Sequence, residues 1–307
     1  METNKETNFA SSVVYVHNDE TYVRQFIEEL DKILSANFLK FEIVVVNDKS
    51  TDNSIKLIKE YAAIRFGLVI SILNMSYFQG LESSMNAGID LAIGDFVFEF
   101  DSVYIDYEWN TVMDIYFNSL SGIDIVNAVP LRKLKFTSSL FYRIFNKNAN
   151  LQYDLETETF RVLSRRAINR VHSISKTIPY RKAIYANCGL QLATIKYKPT
   201  KDIKIKKLIN RSNLAVNSLI LFSDVAYKIT LFMAIFMILI TIGVAIYAFI
   251  YYIYENPIEG WTTTILFLSF AFFGLFSIMA MIVKYLSTIV NLIFAKKEYL
   301  FESIEKL

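Results

Sequence analysis

The chain has 307 residues, and its 32 Lys+Arg against 30 Asp+Glu leave a net charge of +2, which gives no support to a broadly basic nucleic-acid binder. Hydrophobic residues make up 53%, aromatics 15% and charged residues 20%, too apolar for a disordered chain and enough to predict that part of it sits in lipid. The single cysteine, Cys188, excludes an intramolecular disulfide framework and a thiolate metal cluster, and two histidines, His17 and His172, leave little for a histidine-ligated metal.

Residues 1–10 are a polar tail without the apolar core of a signal peptide. The part that follows is therefore expected to stay in the compartment where it is made, a reducing one in keeping with the lone cysteine. From residue 11 to 200, short β-rich runs alternate with amphipathic helices. Val13–Val16 reads as a strand, and Val23, Phe26, Ile27, Leu30, Ile33 and Leu34 follow at helical spacing. Glu42–Val46 reads as a buried strand and Thr51–Ile64 as a helix with Ser50 or Thr51 as its cap. Leu68–Leu73, Leu81–Ile93 and Phe96–Phe100 supply a third strand, a third helix and a fourth strand. This alternation predicts an α/β fold with a mainly parallel sheet and helices on both faces, whose ligands bind beyond the carboxyl ends of the strands. Those ends carry His17-Asn18-Asp19-Glu20, Asn47-Asp48-Lys49-Ser50-Thr51-Asp52, Asn74 and Asp101. No G-x-G-x-x-G follows the first strand and no Walker A loop is present, so dinucleotide redox chemistry and P-loop phosphoryl transfer both lack their phosphate cradle.

Residues 201–228 carry Lys201, Lys204, Lys206, Lys207 and Arg211 ahead of an apolar run, the pattern of a helix lying on anionic headgroups. Residues 229–254 and 261–283 contain no charge, and 26 residues of helix reach roughly 39 Å, enough to span a hydrocarbon core. Two transmembrane helices are expected. The connector between them holds Glu255, Pro257 and Glu259 and no base, whereas Lys228 precedes the pair and Lys284, Lys296 and Lys297 follow it. The positive-inside rule then places both ends, including residues 284–307, on the cytoplasmic side of an inner membrane.

The strand ends also carry a family pattern. The first strand with its His17-Asn18-Asp19-Glu20, the run VVVNDKSTDNS, and NMSYFQGLESSMNAGIDLAIGDFVFEFD together resemble the family-2 inverting glycosyltransferases, nucleotide-sugar enzymes of the GT-A, Rossmann-like fold. The resemblance covers roughly Ser12 to Leu190. Segments 136–147 and 156–171, with the membrane pair, narrow it to the polyprenyl-phosphate glycosyltransferases, the dolichol-phosphate mannose synthase and undecaprenyl-phosphate sugar synthase type. The resemblance implies donor contacts, a UDP-sugar being expected, from His17, Asn18, Asp19, Asp48, Ser50, Asp52 and Gly80, with Asp48 reading the nucleobase. It implies a catalytic set of Asp101, Glu158 and Arg161, and acceptor-phosphate contacts from Arg132, Lys133 and Arg161. It further implies a homo-oligomer, a tetramer in the family.

The family binds Mg²⁺ or Mn²⁺ through D-x-D, whereas this chain reads Asp101-Ser102-Val103. One carboxylate with water and phosphate ligands, Asp101 with Asp106 swinging in, is the expected metal site. Arg165 and Arg166 read as a solvated helix start. Three functions follow from the sequence: transfer of a sugar to polyprenyl phosphate with inversion, extension of a lipid-linked saccharide with Glu158 as base, and a non-catalytic sugar-nucleotide-binding subunit.

Overall fold

The structure, a computed structural model, describes residues 5–132, 136–149, 151–174, 180–200, 260–294 and 299–307, with single helical positions between 228 and 243. The expected surface helix at 201–228 and most of the expected span at 229–254 lie outside the described residues, as does Lys133.

Four strands, β1 (Ala10–Val16), β2 (Phe41–Asn47), β3 (Ile70–Met75) and β4 (Phe96–Phe100), form the parallel centre of one sheet. Every residue of β1 is buried, as required of a parallel strand covered on both faces. The helices between them are α1 (Val23–Asn37), α2 (Ser54–Ile64) and α3 (Leu81–Leu91). Helix α1 buries Val23, Phe26, Ile27, Leu30 and Leu34, the face that its period predicts. Helix α2 begins three residues later than expected, because the loop before it is used elsewhere: the main-chain N–H of Thr51 donates to Asn18 Oδ1 at 2.7 Å, and Asp52 Oδ1 accepts from the Ser54 N–H at 3.0 Å.

In the rest of the sheet two strands depart from the parallel expectation. The chain continues through α4 (Asn110–Leu120), β5 (Ile125–Pro130), α5 (Phe136–Asn148), β6 (Phe160–Ser164), α6 (Arg165–Ile174), α7 (Arg181–Tyr185) and β7 (Leu192–Tyr197). After a further helix, α8 (Trp261–Phe294), it ends in β8 (Phe301–Lys306). The sheet order is β7-β5-β6-β4-β1-β2-β3-β8. Strand β6 enters antiparallel between β4 and β5, and β8 adds antiparallel to the β3 edge, whereas β5 and β7 pair parallel. The sheet is therefore mixed.

Two glycines set the fit of α3. Gly80, at its N-terminus, has φ 85°, a left-handed conformation. At Gly88 a Cβ would stand 2.5 Å from both Val13 Cγ1 and Val46 Cγ2, so this helix lies directly on β1 and β2.

The chain divides into two compact units, Met1–Asn146 with Leu151–Arg211 and Lys296–Leu307, and Lys147–Asn150 with Ser212–Ala295. The second contains α8, one continuous helix of 34 residues in which Lys284 is the sole charged residue. Counting only the described residues, no helix is long and apolar enough to cross a membrane.

Candidate functional site

Strand register brings the polar ends together. Val16 pairs with Asn47 and Asn47 with Asn74, so the loops after β1, β2 and β3 leave the sheet side by side. The first two loops are stitched to each other. The Asn18 N–H donates to Ser50 Oγ at 3.2 Å, the Asp19 N–H to Ser54 Oγ at 2.8 Å, and the Glu20 N–H to Asp52 Oδ2 at 3.0 Å. Asn18 adopts φ 54°, which an Asn side chain tolerates better than most. Asp19 accepts the His17 N–H at 3.0 Å and is hydrogen-bonded by Tyr104, whose hydroxyl pKa is pushed up to about 12 by burial and then by Asp19. His17 Nδ1 lies 2.6 Å from the main-chain oxygen of Asp48, and its ring packs against Phe78 with centroids 4.6 Å apart. Thus His17, Asn18, Asp19, Ser50 and Asp52, singled out from sequence, do converge. Contacts of His17 with Asp19 and of Asn18 with Ser50 and His17 join them to one another, and others go to Asp48, Thr51 and Ser54 beside them.

Asp48 is fully buried and its carboxylate already has three donors: the Tyr15 hydroxyl and the Gly80 N–H at 2.8 Å on Oδ2, and the Gln79 N–H at 2.8 Å on Oδ1. It fixes the entry to α3. Asp48, expected to read a nucleobase, has no exposed side-chain oxygen here, and Tyr15 is one of the groups that cover it. Burial, then the adjoining Asp48 carboxylate, pushes the Tyr15 hydroxyl far above its usual pKa, so it donates and does not ionise.

The end of β4 holds the densest charge cluster. β4 pairs antiparallel with β6 so that Glu99 faces Arg161, and Arg161 Nη1 donates to Glu99 Oε2 at 2.9 Å. The second nitrogen, Nη2, reaches Asp101 Oδ2 at 3.0 Å. From α7, Arg181 donates to Glu99 Oε2 at 2.6 Å, to Asp101 Oδ1 at 2.8 Å and through Nε to Glu82 Oε2 at 3.1 Å. The Tyr185 hydroxyl completes Glu99 at 2.5 Å. Both guanidinium side chains are essentially sealed, 1% and 0% exposed. Burial would raise the Asp101 carboxyl, but Arg161, Arg181 and Lys182 outweigh it and hold it well below the usual carboxylate range.

Beside this cluster Glu158 forms an ion pair with Lys182. Burial would lower the Lys182 ammonium, and Glu158 more than restores it, so its pKa is raised. Asp106 does not turn toward Asp101. It accepts Arg132 Nη1 at 3.2 Å and the Tyr197 hydroxyl at 2.7 Å. Arg165 is not simply solvated either, since it donates to the carbonyls of Ala92 and Gly94 at 2.6 to 2.9 Å beyond the C-terminus of α3, and Arg166 pairs with Asp124.

These residues do not fit the expected divalent cation. Each Asp101 oxygen accepts from a buried guanidinium, Val103 is apolar and 1% exposed, and Asp106 is engaged elsewhere. Among the described residues no three His, Cys, Asp or Glu side chains are grouped to hold a metal ion.

Reading the sequence missed Glu82, Glu99, Arg181, Lys182 and Tyr185. One signal was available: Glu99 in the apolar strand FVFEF, and Arg161 in FRVLS, each place a charge where only a buried partner of opposite sign can be tolerated.

Residues 11–106 match the family described as Glycosyl transferase family 2. An uncharacterized glycosyltransferase of Bacillus subtilis, YkcC, is 22% identical over 193 residues, covering 61% of this chain and 59% of its own length. The chain thus spans less than two thirds of that relative. The bactoprenol glucosyl transferase of Shigella phage SfV is 24% identical over 281 residues, covering 86% of this chain and 88% of its own. Among solved structures, the mannosyltransferase PcManGT of Pyrobaculum calidifontis, in complex with GDP-Man and Mn²⁺, is 16% identical with a TM-score of 0.47, over 70% of this chain and 63% of that one. The part that matches the family, residues 11–106, holds β1 to β4 and the loops stitched at their ends.

Proposed function

We propose that this chain is a glycosyltransferase that moves a sugar from a nucleotide donor to a polyprenyl phosphate at a membrane, with inversion at the anomeric carbon. The observation that carries the reading is the likeness to the phage bactoprenol glucosyl transferase. It runs over 86% of this chain and so extends well past the family-2 domain.

The state of the carboxylates supports a phosphate acceptor over a hydroxyl one. Every acid near the end of β4 is paired with a cation: Asp101 with Arg161 and Arg181, Glu158 with Lys182, Asp106 with Arg132. A carboxylate so paired is a weakened base, whereas a phosphate monoester is already ionised near neutral pH and needs no base to attack C1. What the chain must then do is orient the two anions and offset their charge. Lys182 and Arg132, whose side chains are 13% and 23% exposed, are the cations of these pairs open enough to turn from a carboxylate to a phosphate. Arg161 is too enclosed to touch the acceptor and serves by holding Glu99 and Asp101. Asp48, Ser50 and Asp52 shape the donor loops.

A bilayer location rests on the two uncharged stretches of the sequence, and topology sets the parity of the crossings. The chain before Arg211 and the chain after Lys296 belong to the same compact unit, and β8 is hydrogen-bonded into the sheet beside β3. A chain that leaves a domain and returns to it crosses a bilayer an even number of times. If α8 spans, a second span precedes it, and residues 229–254, without a charge, are long enough to supply it.

The test is transfer itself. Protein in detergent is given radiolabelled UDP- and GDP-hexoses with undecaprenyl phosphate, and label is followed into the organic phase. A sugar-lipid that is lost in Lys182→Met supports the reading. Label that enters only lipid-linked saccharides, or no transfer from any donor in the panel, overturns it.

A further inference from the structure

We infer that this protein binds its nucleotide without a divalent cation at the end of β4, the positive charge at that place being supplied by side chains. The inference rests on the nucleotide-donor reading above, and departs from what the family pattern implies about Asp101.

The argument begins with lone pairs. A divalent ion at this strand end needs carboxylate oxygens turned toward it, but Asp101 Oδ1 and Oδ2 are already hydrogen-bonded at 2.8 and 3.0 Å by two different guanidinium groups. Either oxygen retains a further lone pair. An ion placed there, however, stands within about 4–6 Å of two positive charges, the range over which like charges disfavour each other strongly.

The arginines cannot step aside. Arg161 also holds Glu99, and Arg181 also holds Glu99 and Glu82, so swinging either away from Asp101 strands buried charges that have no solvent to turn to. The position that carries the family's second acid is Val103, buried and without a ligand atom. The nearest acid in sequence, Asp106, is held by Arg132 and Tyr197.

Every carboxylate of the cluster already has a donor. Glu82, Glu99, Asp101 and Glu158 face Arg161, Arg181 and Lys182, one carboxylate in excess. That excess is met by neutral donors, the Tyr185 hydroxyl on Glu99 at 2.5 Å and the main-chain N–H of Arg181 on Glu82 at 2.9 Å. Of the three cations Lys182 has the most exposed side chain, 13%.

Two measurements on the full chain in detergent test this. In the first, Mn²⁺ is titrated with the protein alone and then with UDP or GDP, and the EPR amplitude of the free ion is followed. The expected result is the same amplitude as in matched solutions without protein, where the nucleotide alone complexes part of the Mn²⁺, and stoichiometric capture by the protein beyond that reference overturns the inference. In the second, UDP and GDP affinities are compared by calorimetry in EDTA and in excess Mn²⁺. The expected change is less than about twofold, and tightening by about tenfold or more in Mn²⁺ overturns the inference. If neither nucleotide binds in either buffer, the donor reading fails. The Mn²⁺ titration of the protein alone still decides the ion, capture overturning the inference and an unchanged amplitude supporting it.

Discussion

Removing Arg181 is the sharpest perturbation of this fold. Its side chain is fully buried, and it donates to three carboxylates, Glu82, Glu99 and Asp101, while its main-chain N–H reaches Glu82 as well. Arg181→Met keeps much of the side-chain volume and removes the charge. Glu99 retains Arg161 and Tyr185, and Asp101 retains Arg161, but Glu82 loses the guanidinium and keeps the N–H. Taking one partner from a buried ionic network costs about 3–5 kcal/mol, because an uncompensated charge remains. For a domain of this size that corresponds to a fall in Tm of roughly 6–20 °C. The assay is thermal unfolding in detergent, followed by the fluorescence of Trp109, which lies in the first compact unit. The double variant Arg181→Met with Glu99→Gln removes one charge of each sign and should recover part of the loss, so the two changes together cost less than their sum. A Tm within about 2 °C of the parent for Arg181→Met refutes the reasoning, since that is less than a single kcal/mol in such a domain.

Two further outcomes follow from other parts of the molecule. Gly88→Ala puts a methyl group 2.5 Å from Val13 Cγ1 and Val46 Cγ2, an overpacked contact expected to cost about 1–3 kcal/mol, and Val46→Ala in the same chain should return part of it in the same unfolding assay. For pH, Asp101 has a folded pKa below its ordinary value, so its contribution to stability is complete above about pH 4 and drains away only as pH falls below that toward the folded value. Tm measured from about pH 6 to pH 3 should therefore fall less steeply below pH 4 in Asp101→Asn than in the parent, and an equal slope counts against the arginine clamp.

How far the site could be read in advance depended on the range of the interaction. His17, Asn18, Asp19, Ser50 and Asp52 stand on short loops at consecutive strand ends, so the order of strands alone brings them together, and the register of β1 with β2 does so. Asp48 belongs to the same loops, yet its partners Tyr15, Gln79 and Gly80 come from a strand interior and a helix entry. No local pattern announces that its oxygens are taken. Asp106 was available on sequence grounds to join Asp101, and the direction of its side chain was settled by Arg132 and Tyr197, which lie 26 and 91 residues away along the chain. The antiparallel entry of β6 and β8 was not legible either. Alternation of strand and helix predicts parallel neighbours, yet α5 precedes β6 and α8 precedes β8, so their direction was decided by pairing with strands distant in sequence.

The sequence by itself determined the β-α-β-α order of the N-terminal half, the buried face of α1, the polar strand ends and the two uncharged stretches. All of these are periodic or compositional features that a chain carries within a few turns of backbone. Only the tertiary structure decided what the charges do. Glu99 on β4 and Asp101 just after it, Arg161 on β6 and Arg181 on α7 come from segments up to 82 residues apart, and neither strand nor helix periodicity relates them. A buried charge is tolerated where a counter-charge reaches it in space. That meeting turned the acid expected to hold a metal into the centre of an arginine clamp.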